Sequence, residues 1–148
     1  MAFPATAMAI LIAGTFVAPA VAPARPQIVG GGADSHGCYA DGGYTYSVVR
    51  RTCIRIWEAG ARLDPVKPQG SAVMSAFVVV ASGEDQREAE LFIPGVEGSL
   101  VLKEVRHHGV RAWSGHGYKL TLDNGIYSIA DDRGEVMFRG PPSGGGSN

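Results

Sequence analysis

The sequence predicts an all-β domain: a small antiparallel barrel of about eight strands, with a β-sandwich as the alternative, stapled by one disulfide. Three observations carry that expectation. From Gly43 onward, short runs of β-branched and aromatic residues are punctuated by Gly, Asp and Asn, and hardly any window sustains a helical period. Reversal chemistry recurs between these runs at spacings that suit consecutive antiparallel pairing. Two cysteines, Cys38 and Cys53, sit near the start of a body long enough to enclose a single core yet short enough to profit from a covalent staple. A barrel is preferred to a sandwich because closure removes exposed strand edges.

Taken in order, Tyr44, Tyr46 and Val48 fall on one face of a first alternating strand. Residues 52–57 form a second, in which Cys53 and Trp57 oppose Ile54 and Ile56. Residues 59–63 either extend that strand or make one helical turn ended by Asp64-Pro65. Residues 71–81 are the most apolar segment, and Phe77-Val78-Val79-Val80 predicts a central strand covered on both faces. Ser82-Gly83-Glu84-Asp85 turns the chain into a strand at 89–93, and Pro94-Gly95 turns it into another at 99–103. The clearest hairpin follows: residues 118–122 alternate cleanly, and Asp123-Asn124-Gly125 tolerates the positive φ of a tight reversal into 126–130. Asp131-Asp132-Arg133-Gly134 reverses the chain once more into 136–139.

The chain ahead of this body reads as an export signal. Residues 7–17 are apolar apart from Thr15, a run too short for a bilayer, which needs about 20 apolar residues. Ala18-Pro19-Ala20, Ala20-Val21-Ala22 and Ala22-Pro23-Ala24 are cleavage sites of the small-x-small kind, so residues 1–24 are predicted to be a signal peptide. No Lys or Arg precedes the apolar run, which leaves an uncleaved anchor or a buried segment as alternatives. Residues 25–36 are then a flexible N-terminal segment, 37–139 a single β domain, and 140–148 a disordered tail of Gly, Ser and Pro. The expected location is periplasmic or secreted, with no stable membrane insertion after cleavage.

In an exported chain, Cys38 and Cys53 are predicted to be bridged; closing a loop of about 15 residues is worth on the order of 3 kcal/mol. Lipidation of Cys38 and a two-cysteine metal site are the alternatives. Ser35-His36-Gly37 is no lipobox, and no C-x-x-C or H-x-x-x-H spacing supplies further ligands, so no metal and no cofactor are expected. With 13 basic and 14 acidic residues the formal charge is −1, which gives no global field for nucleic acid. Any partner must be chosen by a local surface.

The segment Trp113-Ser114-Gly115-His116-Gly117-Tyr118 combines a hydroxyl, an imidazole, two glycines and two aromatics in what reads as a loop leading into a strand. The order Ser-Gly-x-x-Tyr, followed by a strand, a turn and a basic residue before Gly, resembles the membrane-bound lysozyme inhibitors of c-type lysozyme, small periplasmic β-barrels with a cysteine bridge. Ser114, Gly115 and Tyr118 match that motif, and Arg133 before Gly134 stands where the family has Lys-Gly. The resemblance implies a protein partner, a c-type lysozyme, whose cleft would be plugged by a loop hydroxyl and a nearby cation. Such a cleft presents two carboxyl groups, which a hydroxyl donor and a cation can engage without offering a bond to cleave. The alternative is an ordinary turn at Ser114-Gly115 with Tyr118 packed in the core.

Other residues carry weaker chemistry. His107 and His108 are neighbours, and on a strand they would point to opposite faces instead of toward one ion. Ser114, His116 and Asp123 could be nominated as a hydrolytic triad, yet no nucleophile elbow is present and no enzymatic activity is expected. Arg50-Arg51, with Arg55 and Arg62 beyond, reads as a polar turn balanced by Glu58 and Asp64, or as a site for an acidic partner. Trp57 and Trp113 are either buried anchors or binding-surface aromatics. The expected function is therefore an exported β-barrel binding protein, in its sharpest form a lysozyme inhibitor. A non-enzymatic envelope structural or interaction module is the alternative.

Overall fold

The computed structural model describes residues 32–68, 74–83 and 86–141. The predicted signal peptide, most of the 25–36 segment and residues 142–148 of the predicted tail lie outside the described residues. Strands β1 (Thr45–Ser47) and β2 (Thr52–Ile54) pair as a small antiparallel hairpin, followed by one helical turn, α1 (Ile56–Ala59). Eight further strands follow: β3 (Ala61–Pro65), β4 (Ala76–Val80), β5 (Glu88–Phe92), β6 (Leu100–His107), β7 (Val110–Gly115), β8 (Tyr118–Asp123), β9 (Ile126–Ala130) and β10 (Val136–Gly140). They run antiparallel around a closed barrel in chain order, and β10 pairs with β3 to shut it, Phe138 opposite Pro65 and Arg139 opposite Asp64.

The closed antiparallel barrel of eight strands and the single disulfide agree with the sequence expectation. Its membership does not. The two strands predicted at 44–48 and 52–57 lie outside the barrel, and β3 and β7 take their places. The chain leaves β2 early because it must reverse against β4: a Cβ on Gly60 would lie 2.8 Å from the Ile56 carbonyl oxygen and 3.1 Å from that of Val78. A helical turn ending at this glycine fits the space, and Trp57 belongs to it instead of to a strand. β7 escapes a hydrophobic-pattern reading because its inward row, Arg111, Trp113 and Gly115, mixes a cation, a large ring and no side chain.

Alternate residues of each barrel strand point inward, as closure requires. Ala61, Leu63, Ala76, Val78, Ala89, Leu91, Leu102, Trp113, Leu120, Tyr127, Ile129 and Phe138 fill the interior as one cluster. This is a packed core, not a ligand-holding lumen. At the closing seam β10 comes so near β3 that a Cβ on Gly140 would sit 2.4 Å from the Arg62 carbonyl oxygen, a backbone atom that cannot swing aside. Gly140→Ala is therefore expected to cost about 1–3 kcal/mol by prising the seam apart, measured as a lower midpoint in chemical denaturation.

One stretch of the barrel's outer wall is covered as well. Val79 on β4 and Glu90 on β5 are register partners, face outward, and are both fully buried. The hairpin docks here. The Ser47 hydroxyl donates to Glu90 Oε2 at 2.5 Å, the Ser99 hydroxyl to Oε1 at 2.5 Å, and the Val48 and Val49 N–H groups reach the same carboxylate at 3.1 and 3.5 Å. Arg50 clasps the junction from the other side, donating to the carbonyl oxygens of Val80 and Ala59, each at 3.1 Å. Arg50 is thus a structural tie, while its neighbour Arg51 is exposed in the β1–β2 turn. The disulfide joins Cys38 to Cys53 with Cα atoms 5.5 Å apart, fastening the segment before the hairpin to β2. It suits an oxidising compartment.

Candidate functional site

The strand directions place four connections at one end of the barrel: those after β3, β5, β7 and β9. Two of them carry the residues singled out in the sequence. Trp113, Ser114 and Gly115 are not a loop but the end of β7; only His116 and Gly117 form the turn to β8, at φ 54° and 80°. This is the pattern of a two-residue turn with both central residues left-handed, whose twist matches that of the paired strands. Trp113 points into the core and Ser114 out from the wall, exposed, its hydroxyl 3.5 Å from the Tyr118 carbonyl oxygen. Tyr118 faces the interior edge and packs against the core. Strand pairing with Lys119 and Tyr118 holds Ser114 and Gly115 in place.

Arg133 lies in the β9–β10 connection at the same end. Lys119 pairs with Ala130, so the two connections leave the barrel from adjacent strand ends. Arg133 is well exposed, with Nε 3.4 Å from Asp131 Oδ2. Asp131 organises this turn by accepting the N–H groups of Arg133 at 3.0 Å and Glu135 at 2.9 Å. Those bonds, that of Glu135 foremost, hold its carboxyl below the ordinary value of 3.8. A depressed carboxyl stabilises the turn fully above its ordinary range and ceases to as pH falls through the lowered value. In a pH titration the amide resonances of Arg133 and Glu135 are expected to hold steady above that range and move together below it. In Asp131→Ala both amides should exchange faster at neutral pH, and unchanged exchange would contradict this account.

Between the Arg133 turn, Pro94 and the residues flanking the β3–β4 connection lies a cleft of about 480 Å³. Pro65, Met74, Pro94, Met137 and Phe138 give it an apolar floor, and Lys67, Glu135, Asp131 and Arg133 a charged rim. Residues 135 to 138 all line it, which a regular strand could not do since neighbours point to opposite faces. A register shift between Val136 and Phe138 against β9 breaks the alternation there, as bulges do at barrel rims. Lys67 donates to Glu135 at 2.7 Å, and this partner raises the lysine's pKa. Apart from Arg133, no sequence pattern pointed to the cleft, because its members come from three connections and two strands.

The remaining candidates do not converge. Asp123 ends β8 at the opposite end of the barrel from the Ser114 turn, about 13 Å of strand from Lys119, so Ser114, His116 and Asp123 make no triad. His107 ends β6 with its ring Nδ1 3.0 Å from Lys119 Nζ, and His108 sits in the β6–β7 turn at φ 31°. Among the described residues no group of three or more His, Cys, Asp or Glu side chains is placed to hold a metal. Arg55 pairs with Glu58 and Arg62 with Asp64, as the charge balance suggested. The two tryptophans part company: Trp113 is fully buried and Trp57 is 55% exposed. No protein-family model, curated protein or solved structure matches this chain. Among the described residues no helix is long and apolar enough to cross a membrane.

Proposed function

We propose that this protein is an extracytoplasmic binding module that engages a macromolecular partner with the barrel end bearing the Ser114 and Arg133 turns, in its sharpest form as a plug for a c-type lysozyme cleft. The observation that carries the reading is the shared location of the two turns on adjacent strand ends. An exposed hydroxyl and an exposed guanidinium projecting from one rigid rim suit a cleft that presents two carboxyl groups, and strand pairing leaves little motion to lose on docking. Purified mature protein should slow lysis by a c-type lysozyme. Ser114→Ala combined with Arg133→Ala removes two charge-assisted contacts of about 1.5–3 kcal/mol each, so the inhibition constant should rise at least tenfold. Undiminished lysis at a large excess of the protein would remove the idea.

The cleft beside Arg133 favours a second reading, a non-inhibitory interaction module of the cell envelope. Its apolar floor with two methionines can adapt to an apolar side chain of a partner, while the ion-paired rim excludes water around it. Capture of a partner that Met74→Asp abolishes, without any effect on lysozyme, would favour that reading over the first.

A further inference from the structure

We propose that the outer face of the N-terminal hairpin is a saccharide platform, on which Trp57 and Tyr44 stack the apolar faces of uncharged pyranose rings. Of the chain's five tyrosines and two tryptophans, Tyr39, Tyr44, Tyr46 and Trp57 belong to this small segment. Three of them are open to solvent: Tyr39 is 56% exposed, Tyr44 39% and Trp57 55%. All three surround one turn. The N–H groups of Gly42 and Tyr44 bond to the Tyr39 carbonyl oxygen, the Tyr44 ring lies against Gly42, and the Trp57 indole lies on Gly43 so closely that a Cβ there would be 2.2 Å from it.

These rings are held in place before any ligand arrives. The Arg55 guanidinium sits 4.6 Å from the centre of the Tyr44 ring and is itself fixed by the Gly42 carbonyl oxygen at 3.0 Å and Glu58 at 3.2 Å. Rings already locked lose little rotamer freedom on binding. The chemistry of the face selects the ligand. Among its exposed large apolar side chains only Val48 is aliphatic, and that residue lies in the turn that docks on Glu90. A protein interface core draws on apolar side chains of mixed shape, whereas a purely aromatic face offers electron-rich ring surfaces to weakly positive C–H groups. Pyranose rings present such C–H faces and hydroxyls at their edges, within reach of Arg55, Glu58 and Asp41. Nucleic acid bases also stack, but their phosphates need cations. This segment carries Asp34, Asp41 and Glu58 against Arg50, Arg51 and Arg55, with Arg50 committed to backbone carbonyls and Arg55 to Glu58. A surface so balanced suits a neutral ligand.

The test uses the mature protein and the uncharged hexasaccharides chitohexaose, cellohexaose and maltohexaose. Because Trp113 is fully buried, a saturable change in tryptophan emission reports Trp57. At least one hexasaccharide should produce it, with affinity reduced roughly tenfold or more in Trp57→Ala and less in Trp57→Phe, at unchanged melting temperature. Ser114→Ala with Arg133→Ala should bind the sugar as the parent does, which separates this proposal from the inhibitory reading. Three results overturn it: no binding at millimolar sugar, binding that survives Trp57→Ala, or an aromatic face that binds hexathymidylate or a second copy of the chain instead.

Discussion

Replacing Glu90 with alanine is expected to lower stability by about 3 kcal/mol or more and to free the N-terminal hairpin from the barrel. The carboxylate is fully buried on the barrel's outer wall and accepts two serine hydroxyls and two backbone N–H groups. Removing it leaves the buried Ser47 hydroxyl and three partly buried donors without their acceptor, and taking one partner from such a cluster is far costlier than the net worth of any one bond. Glu90→Gln keeps the shape but places an amide N–H₂ where one hydroxyl donates, so about 1–2 kcal/mol is expected. Amide exchange separates local from global effects: in Glu90→Ala the amides of residues 47 to 50 should lose protection while those of Leu120 and Ile129 keep theirs. A variant with unchanged melting temperature and protected hairpin amides would refute the docking role of this residue.

Trp113→Ala should destabilise the barrel itself by about 3–5 kcal/mol, the cost of a large ring removed from a packed core that can only partly collapse. The indole is fully buried, its Nε1–H donates to the Gln86 carbonyl oxygen at 3.0 Å, and its ring centroid lies 6.4 Å from that of Tyr127. Trp113→Phe keeps most of the volume and loses that hydrogen bond, for which about 1–2 kcal/mol is expected. Denaturant titration measures both. Tyr127 offers a second readout. Burial pushes its phenol above the ordinary value of 10.0, so the barrel loses stability as pH rises past that value. Water admitted by Trp113→Ala should bring the phenol back toward 10.0 in a spectrophotometric titration. A phenol that titrates as in the parent would mean that the cavity stays closed.

Much of the fold was legible, and the places where reading failed share a cause. The 118–130 hairpin follows from clean alternation and Asn124-Gly125, which adopt φ 47° and 77° as the turn demands. The Phe77-Val78-Val79-Val80 run was legible as a strand covered on both faces, because an unbroken apolar run has no polar side to offer water, and β4 contains it. β7 was not legible as a strand, since Ser114-Gly115-His116-Gly117 looks like loop composition until the pairing partners are known. Of the candidate site, Ser114 and Arg133 could be named in advance, yet their nearness depends on how β8 and β9 pair. The cleft was hidden for the same reason, being assembled from segments far apart in the chain, whereas the aromatic face comes from residues 39–57 and only its exposure was hidden.

By itself, the amino-acid order determined an all-β body, several of its reversals and the expectation of a cysteine bridge, because side-chain alternation and turn chemistry act over a few neighbouring residues. Tertiary structure alone decided which strands close the barrel, that Trp113 fills it while Trp57 faces solvent, and that Glu90 lies beneath the hairpin. Alternation marks two faces of a strand but cannot say what distant segment covers either one, and burial, charge pairing and exposure all follow from that cover.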